Sequence, residues 1–283
     1  MYDRFKWTSA SLRRNRLTQE YEPLQPFFFI ALAERAACRT FIDVGANIGA
    51  YSLFATLAPS VRHVVAFEAD PATFAELKRN VSLNSLDTSI KVHGSAVSDA
   101  AGELAFGSVG RLSGANSVVS TSIHESTNFR DRYMVEATTL DNVFATGADE
   151  PLAIKIDVEG HEPAVLKGGE ALLRANRAII QIECYERSGN ESRRLLSKLG
   201  FEQLTAIGPD HYFTNIDELR DANALIPVYE QASRELIDYY HRDKPVTVEA
   251  GDLRIEVTGR SADFARNLKR RVRGKSAQTD SKT

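Results

Sequence analysis

The stretch from Thr40 to Gly49 constrains the fold of this chain more than any other part of the sequence. A short apolar run is followed at once by a turn that contains glycine, and then by apolar residues at helical spacing. This order is typical of a buried strand that passes through a tight turn into a helix. Gly45 stands where the chain must turn, because a residue without a Cβ adopts a positive φ and allows close approach of a ligand. We expect Asn47 to cap the helix, and the free N–H groups at the helix start to favour an anionic or electron-rich ligand.

Two classes of cofactor use a turn of this kind. Dinucleotides favour Gly-x-Gly-x-x-Gly with a diphosphate above the helix N-terminus, but Asn47 stands at the second glycine position of that pattern. Asp43 at the strand end would repel a diphosphate, whereas it can face the cationic groups of S-adenosylmethionine (SAM). Glu68 ends the next predicted strand, where a carboxylate accepts hydrogen bonds from ribose hydroxyls. The turn therefore favours SAM, and an NAD-dependent oxidoreductase is an alternative that side-by-side titration would separate.

Composition and charge bound the class of protein. The 283 residues suffice for one α/β domain with additions, and 43% hydrophobic with 26% charged residues is ordinary for a soluble globular protein. A formal net charge of -3 implies no overall attraction to nucleic acid. Cys38 and Cys184 are far apart and lack metal-site spacing, which indicates a reducing compartment. The early apolar run is too short for a membrane span and no signal peptide is evident, so the predicted location is cytoplasmic.

Strands and helices alternate along the middle of the chain. This alternation predicts an α/β, Rossmann-like, doubly wound fold with a mostly parallel seven-stranded sheet, an antiparallel closing strand, an N-terminal helix and a C-terminal extension. Glycine, serine, asparagine and threonine accumulate between residues 96 and 140, which indicates an inserted segment of hairpin or loop character that recognises substrate. The predicted domains are a loose arm and helix at residues 1–37, a catalytic domain at 38–215, and an extension at 216–283.

Acidic residues recur where the predicted strands end. Ligands of open parallel sheets bind at the carboxyl ends of the strands, and a sheet interior holds carboxylates only with partners. We therefore expect one site at this edge, formed by Asp43, Glu68, Asp157, Glu159 and Glu183. The alternative for Glu159 and the neighbouring Glu162 is that they only cap the following helix.

Three segments together resemble FkbM-type methyltransferases. They are residues 41–52 around the glycine turn, residues 139–141, and residues 154–162 with the following Val165-Leu166-Lys167-Gly168. The resemblance covers roughly residues 38–215, and His161 departs from the small or apolar residue of the family pattern. It implies a class I, SAM-dependent enzyme that methylates a hydroxyl, often on a sugar, a glycan or a natural product. The acceptor itself depends on the insertion at about residues 99–136.

The resemblance also implies roles for individual residues. Those that would hold the methionine portion of SAM are Asp43, Gly45, Ala46, Asn47 and Gly49. Glu68 would bind the ribose, Ser95 and Ala96 would lie beside the adenine, and Asp157 would lie beside the methyl group and the acceptor.

A neutral hydroxyl loses its proton during methyl transfer, so a general base within hydrogen-bond reach is expected. The candidates are Asp157, Glu159 and His161, of which His161 has the best ordinary pKa but is alternatively a surface residue on the first helical turn. A divalent metal such as Mg²⁺, held by Asp157 and Glu183, is a second means of activating the hydroxyl.

The end of the chain has a basic, amphipathic pattern, with Phe264, Leu268 and Val272 on one predicted helical face among arginines and lysines. This pattern raises an alternative function, a nucleic-acid-binding protein or RNA methyltransferase, although no aromatic residues accompany the charges. Peripheral contact with an anionic membrane is another reading, and a solvated tail is the plainest. The last ten residues are predicted to be disordered. The oligomeric state is left open.

Overall fold

A computed structural model describes the protein at residues 5–8, 11, 22–110, 112–123, 128–144, 150–240, 246–250 and 253–257. The basic segment around Phe264 and the last ten residues lie outside these ranges. Among the described residues, no helix combines the length and the apolar character that crossing a membrane requires.

The main sheet contains nine strands in the order β13-β12-β10-β11-β9-β8-β1-β2-β3. In chain order its strands are β1 (Thr40–Val44), β2 (His63–Phe67), β3 (Ile90–His93), β8 (Leu152–Ile156), β9 (Ala178–Glu183), β10 (Glu202–Ile207), β11 (Asp210–Thr214), β12 (Val246–Ala250) and β13 (Leu253–Val257). Five neighbouring strands of this sheet are parallel, in the spatial order β9-β8-β1-β2-β3. Strand β11 is the antiparallel neighbour of β9. The predicted seven-stranded, mostly parallel sheet is confirmed, and the hairpin of β12 and β13 extends it through the pair Ile207↔Ala250.

The helices lie in two layers against the main sheet. They are α1 (Gln25–Arg35), α2 (Ala50–Ala55), α3 (Pro71–Leu83), α4 (Leu140–Val143), α5 (Glu162–Lys167), α6 (Glu170–Ala175), α7 (Glu186–Lys198), α8 (Asp217–Arg220) and α9 (Ile226–Tyr240), with a 3-10 helix at Ala222–Leu225. One apolar cluster joins α1, α2, α3 and α9 to one face of the sheet, and a second joins α5, α6 and α7 to the other. The expected coverage of both faces is thus confirmed.

The insertion between β3 and β8 forms a second sheet of four strands in the order β4-β7-β5-β6. Its strands are β4 (Ala96–Val97), β5 (Gly102–Ser108), β6 (Ser117–Val118) and β7 (Asp131–Thr138). Phe106, Val118 and Val135 form a small apolar cluster on it. The predicted hairpin character is confirmed, and this sheet lies beside the cavity described below.

Two local expectations are wrong. The described part of the N-terminal arm is not loose, because Thr8 N donates to Asn80 Oδ1 at 3.1 Å, and the rings of Phe5 and Trp7 lie 6.0 and 6.4 Å from that of Phe54. Asn47 does not cap α2, since the helix begins after Gly49 and has no side-chain cap.

The segment that follows His161 forms two short helices, α5 and α6, separated at Gly168 and Gly169. A Cβ on Gly168 would lie 1.9 Å from the carbonyl oxygen of Ser98, so the chain packs there through a glycine. Asp141 then caps α6 from outside, because its two carboxylate oxygens accept the N–H groups of Ala171 and Leu172 at 3.1 and 2.8 Å. The segment at residues 139–141 therefore joins α6 to the rest of the fold.

Candidate active site

The turn after β1 has the left-handed backbone that its glycines predict. Gly45, Asn47 and Gly49 have φ values of 79°, 50° and 88°. A Cβ on Gly45 would lie only 1.8 Å from the carbonyl oxygen of Asp157. Gly45 is therefore required by both its backbone conformation and the close approach of the segment that follows β8.

We expect Gly45→Ala to lower the free energy of unfolding by about 2 kcal/mol or more, since the left-handed conformation alone costs about 1–2 kcal/mol and the clash adds to it. Gly200→Ala is the matched control, because Gly200 has a φ of 83° and nothing within 4 Å of its Cβ position. Urea denaturation of both variants measures the difference. Equal losses would show that the contact with Asp157 contributes nothing.

The backbone N–H groups of the turn are already used within the protein. Those of Gly45 and Ala46 donate to the carbonyl oxygen of Phe67 at 3.0 and 2.8 Å. The N–H of Asn47 donates to Glu68 Oε2 at 2.9 Å. The expectation of free N–H groups that attract an anion is therefore wrong for these residues. A diphosphate needs such donors, so the geometry disfavours a dinucleotide at this turn.

A cavity of about 610 Å³ opens at the carboxyl ends of β1, β2 and β8. Such a volume is typical of small-molecule sites. All but one of the residues predicted for the site line this cavity: Asp43, Gly45, Ala46, Asn47, Glu68, Ser95, Ala96, Asp157, Glu159, His161 and Glu183. The exception is Gly49, which packs against α3, where a Cβ would lie 2.5 Å from Leu77 Cδ1.

Asp43 presents a buried carboxylate to the cavity with only 1% of its surface exposed. Ser52 Oγ donates to its Oδ2 at 2.5 Å, while its Oδ1 has no hydrogen-bond partner among the described residues. Burial raises the pKa of Asp43, and the nearby Lys155 ammonium opposes this shift. Oδ1 is itself shielded from solvent, so a cationic or N–H-bearing ligand group in the cavity would satisfy it after a small shift of the neighbouring atoms.

Glu68 is fixed at the end of β2 by two backbone donors. Its Oε2 accepts the N–H of Asn47 at 2.9 Å, and its Oε1 accepts the N–H of Asp70 at 2.8 Å. Burial raises its pKa to about 7, although these hydrogen bonds favour the ionised form. Each carboxylate oxygen retains a further lone pair for a ligand hydroxyl.

Lys155 is a site residue that the sequence prediction missed. It is paired in register with Asp43 on β1 and Gln181 on β9, and only 4% of its surface is exposed. Its Nζ contacts Asp157 Oδ2 at 2.8 Å and lies 4.6 Å from the centre of the Tyr51 ring. Burial alone would lower the pKa of Lys155, but neighbouring carboxylates, chiefly that of Asp157, raise it overall. A lysine in the middle of an apolar strand was the available signal, because a buried charge requires partners.

Two polar residues beyond Lys155 were also missed. Tyr51 OH donates to Glu22 Oε2 at 2.5 Å, and it accepts from Gln181 Nε2 at 3.0 Å. Tyr51 and Glu22 both line the cavity. The segment before α1 thus contributes to a polar part of the cavity around Glu22, Tyr51 and Lys155, which is called the polar end below.

Three carboxylates converge at this polar end. One oxygen each of Asp157, Glu159 and Glu183 lie within 4.8 Å of one another. Burial and the adjacent Asp157 raise the pKa of Glu183 to about 10. Burial would raise the pKa of Asp157, yet Lys155 holds it below its ordinary value. Within this pair Glu183 favours its protonated form, and Asp157, beside Lys155, favours its ionised form.

Glu159 differs from its two neighbours. Its φ of 55° is unusual for a residue with a side chain, and such strain is concentrated at functional sites. Burial, followed by the charge of Asp157, raises the pKa of Glu159 to about 8. A carboxylate with this pKa is well matched to general-base chemistry near neutral pH.

The predicted metal site finds little support in this geometry. Three carboxylate oxygens suit Mg²⁺, but the ammonium of Lys155 already contacts Asp157 Oδ2 at 2.8 Å. The donor set therefore fits a carboxylate cluster neutralised by lysine better than a resident metal.

His161 is buried, with 5% of its surface exposed, so the reading of a surface residue is wrong. Its Nδ1 lies 2.8 Å from Thr121 Oγ1 and its Nε2 lies 2.9 Å from Ser98 Oγ. Burial lowers its pKa and keeps the ring neutral. Because both ring nitrogens contact protein hydroxyls, the structure favours the carboxylates over His161 as the base.

The sheet order and the cavity at the carboxyl ends of the strands define a Rossmann-like protein with a site for a small organic cofactor. Within that class, the sequence profile described as Methyltransferase FkbM domain matches residues 43–203, more than half of the chain. The chain belongs to the FkbM methyltransferase family. The resemblance found in the glycine turn and in residues 154–162 is thereby confirmed.

Several solved structures are similar to the chain. The methyltransferase FkbM from Methylobacillus flagellatus KT is 17% identical with a TM-score of 0.44, and the match covers 63% of this chain and 44% of that protein. An O-methyltransferase from Bacillus cereus in complex with SAH is 12% identical with a TM-score of 0.43, covering 72% and 86% of the two chains. The B. subtilis tRNA methyltransferase TrmK is 14% identical with a TM-score of 0.42, covering 88% and 95%. A search of curated proteins gives no match.

Proposed function

We propose that the protein transfers a methyl group from SAM to a hydroxyl of a sugar, glycan or natural-product acceptor. The observation that carries this proposal is the unsatisfied Oδ1 of Asp43, beside a turn whose N–H groups at residues 45–47 are already used. SAM offers a cationic amino group for this oxygen and brings no phosphate that would need the N–H groups. The family match supports methyl transfer as the reaction.

The cavity residues fit the parts of SAM. Asp43 would face the amino group of the methionine portion, next to Gly45, Ala46 and Asn47. Glu68 would accept the ribose hydroxyls with its remaining lone pairs. Ser95 and Ala96, which line the cavity just after β3, would lie beside the adenine. These roles follow the pattern of the turn and the family resemblance, and the residues named for them line the cavity.

SAM, when bound, supplies a methyl group on a sulfonium, which is already activated for displacement. The protein then contributes mainly by orienting the acceptor hydroxyl and by accepting its proton. Asp157, kept ionised by Lys155, would orient the hydroxyl through a hydrogen bond. Glu159 would take the proton at its carboxylate, because its pKa of about 8 matches this task. Glu183, which holds a proton at neutral pH, would keep Asp157 in place.

The inserted sheet supports a role in acceptor recognition. Phe106 and Val118 of the inserted sheet line the cavity. Their apolar surface, together with the polar end at Glu22 and Tyr51, suits an acceptor with both a hydrocarbon face and hydroxyl groups. Sugars and many natural products have this combination.

Calorimetric titration of the purified protein with S-adenosylhomocysteine (SAH) and with NAD, side by side, tests the donor. We expect SAH to bind at micromolar concentrations or below and NAD to show no heat of binding, because the turn offers no spare N–H groups for a diphosphate. Binding of NAD in preference to SAH would overturn the proposal and restore the oxidoreductase reading.

Chelation tests the metal alternative. We expect methyl transfer to continue at an unchanged rate in EDTA, since Lys155 already neutralises Asp157. The measurement is turnover of radiolabelled SAM with an extract-derived glycan or small-molecule acceptor, with and without chelator, followed by addition of Mg²⁺. Loss of turnover that Mg²⁺ restores would instead establish a metal at the carboxylate cluster.

A further inference from the structure

One segment of the inserted sheet covers the cavity from above the cofactor turn. This covering segment, residues 112–123, supplies Ser113, Gly114, Ala115, Asn116 and Val118 to the cavity lining. A Cβ on Gly114 would lie 3.9 Å from Asn47 Nδ2, so the segment reaches the turn itself. A ligand bound at the turn would therefore be within reach of these residues.

The covering segment is joined to the start of α5 by three contacts. Thr121 Oγ1 and His161 Nδ1 are 2.8 Å apart. The N–H of Ile123 donates to the carbonyl oxygen of Glu159 at 3.1 Å. A Cβ on Gly160 would lie 2.4 Å from the carbonyl oxygen of Thr121, so the two backbones are in direct contact there. The contact between Thr121 and His161 is the one that a side-chain change can remove selectively.

The contact of His161 Nε2 with Ser98 determines which atom donates in the hydrogen bond between His161 Nδ1 and Thr121. Ser98 Oγ donates its single proton to Asp99 Oδ1 at 3.1 Å, so it accepts from His161 Nε2 at 2.9 Å. With its proton on Nε2, the neutral ring accepts at Nδ1 from the Thr121 hydroxyl. The chain of bonds therefore runs in one direction from Thr121 through His161 to Asp99. His161 is held by Ser98 and in turn holds Thr121.

We propose that His161 is a positioning residue that holds the covering segment over the bound cofactor through Thr121. It acts on retention of the cofactor and takes no part in the transfer of the methyl group. This inference rests on the proposed function, because it requires that SAM and SAH bind at the turn. This proposal gives a role to His161, which departs from the family pattern. The carboxylates, and not His161, are the favoured base.

A matched pair of variants separates the two bonds of the ring. In His161→Asn a side-chain amide atom lies the same number of bonds from Cβ as Nδ1, so the contact with Thr121 is kept. In His161→Gln the terminal amide atom corresponds to Nε2, so the contact with Ser98 is kept and that with Thr121 is lost. Thr121→Val removes the same contact from the other side by replacing only a hydroxyl with a methyl group.

The measurement is the dissociation rate of SAH, followed by stopped-flow displacement with excess SAM. We expect His161→Gln and Thr121→Val to release SAH about threefold to tenfold faster than the unaltered protein, as loss of one hydrogen bond implies. His161→Asn should stay within about twofold of the unaltered protein, the scatter of a neutral substitution. In turnover assays the KM for SAM should rise in the two fast-releasing variants while kcat changes little.

Melting temperatures separate this role from a purely structural one. If His161 and Thr121 only stabilised the fold, their variants would melt at a lower temperature but release SAH at an unchanged rate. Equal release rates for His161→Asn and His161→Gln, or an unchanged rate in Thr121→Val, would overturn the inference. Failure of the unaltered protein to bind SAH would overturn the proposed function, and this inference with it. SAH binding with uniform release rates would overturn the inference alone.

Discussion

Replacing Glu159 with glutamine is expected to lower kcat by about 10²- to 10⁴-fold, the usual contribution of a general base. Glutamine keeps the size of the side chain but cannot accept the acceptor's proton. Affinity for SAH, measured by calorimetry, should remain within a few fold, because the proposed role of Glu159 is toward the acceptor and not toward the cofactor. Glu103→Gln is the control, since Glu103 is an exposed acid on the inserted sheet.

The pH dependence of the same reaction carries a second signature. Glu159 acts as a base only when ionised, and its pKa of about 8 leaves it mostly protonated at pH 7. We therefore expect kcat/KM to rise tenfold per pH unit below about 8 and to reach a plateau above it. Asp157→Asn removes the largest charge that raises the pKa of Glu159. In the activity that remains in this variant, the rise of kcat/KM with pH should therefore be centred at a lower pH.

Two results would contradict the assignment of the base. One is a Glu159→Gln variant that keeps both its rate and the rise with pH. The other is an Asp157→Asn variant that loses the rise altogether, which would make Asp157 the titrating group. A profile that tracks His161 instead would show a rise centred below pH 6.5, since burial lowers the pKa of that ring from its ordinary value of 6.5.

The cofactor end of the site was predictable because its parts are close in the sequence. Gly45 and Asn47 belong to the same turn, and Glu68 lies 21 residues from Asn47 at the end of the adjacent parallel strand. Parallel pairing brings such strand ends to one edge, so the acids of a strand–helix alternation must meet there. The prediction erred at Asn47, whose side chain was expected to cap α2. Its backbone N–H donates to Glu68 instead, a bond between two strand ends that helix-capping rules do not describe.

The contacts of His161 could not be predicted, because they depend on long-range packing. His161 contacts Thr121 and Ser98, which are 40 and 63 residues away in the sequence. Ser98 follows β4 and Thr121 lies shortly after β6, and these strands of two residues each are too short to show a periodicity. Lys155 was different, since its position in a strand of aliphatic residues already required a buried counter-charge. The sequence therefore predicts that Lys155 has an acidic neighbour, and the register of β1 with β8 places Asp43 beside it.

Asp43→Asn is expected to weaken binding of SAM and SAH by about 30-fold or more, because truncating one side of a buried charge pair costs about 2–5 kcal/mol. Since burial raises the pKa of Asp43, its ionised form is less stable in the folded protein than in the unfolded chain. The neutral amide avoids that cost, so the melting temperature without ligand should stay the same or rise. Calorimetry and thermal denaturation on one preparation measure both effects.

Ser52→Ala separates the charge of Asp43 from its placement. Ser52 Oγ donates to Oδ2 at 2.5 Å, so the alanine variant keeps the carboxylate but removes its orienting partner. We expect a smaller loss of affinity than for Asp43→Asn, within about tenfold, as one hydrogen bond implies. If Asp43→Asn binds SAH as tightly as the unaltered protein, the unsatisfied Oδ1 does not face the cofactor. The buried carboxylate would then be explained by the hydrogen bond from Ser52 and the nearby charge of Lys155, and the observation that carries the proposed function would be lost.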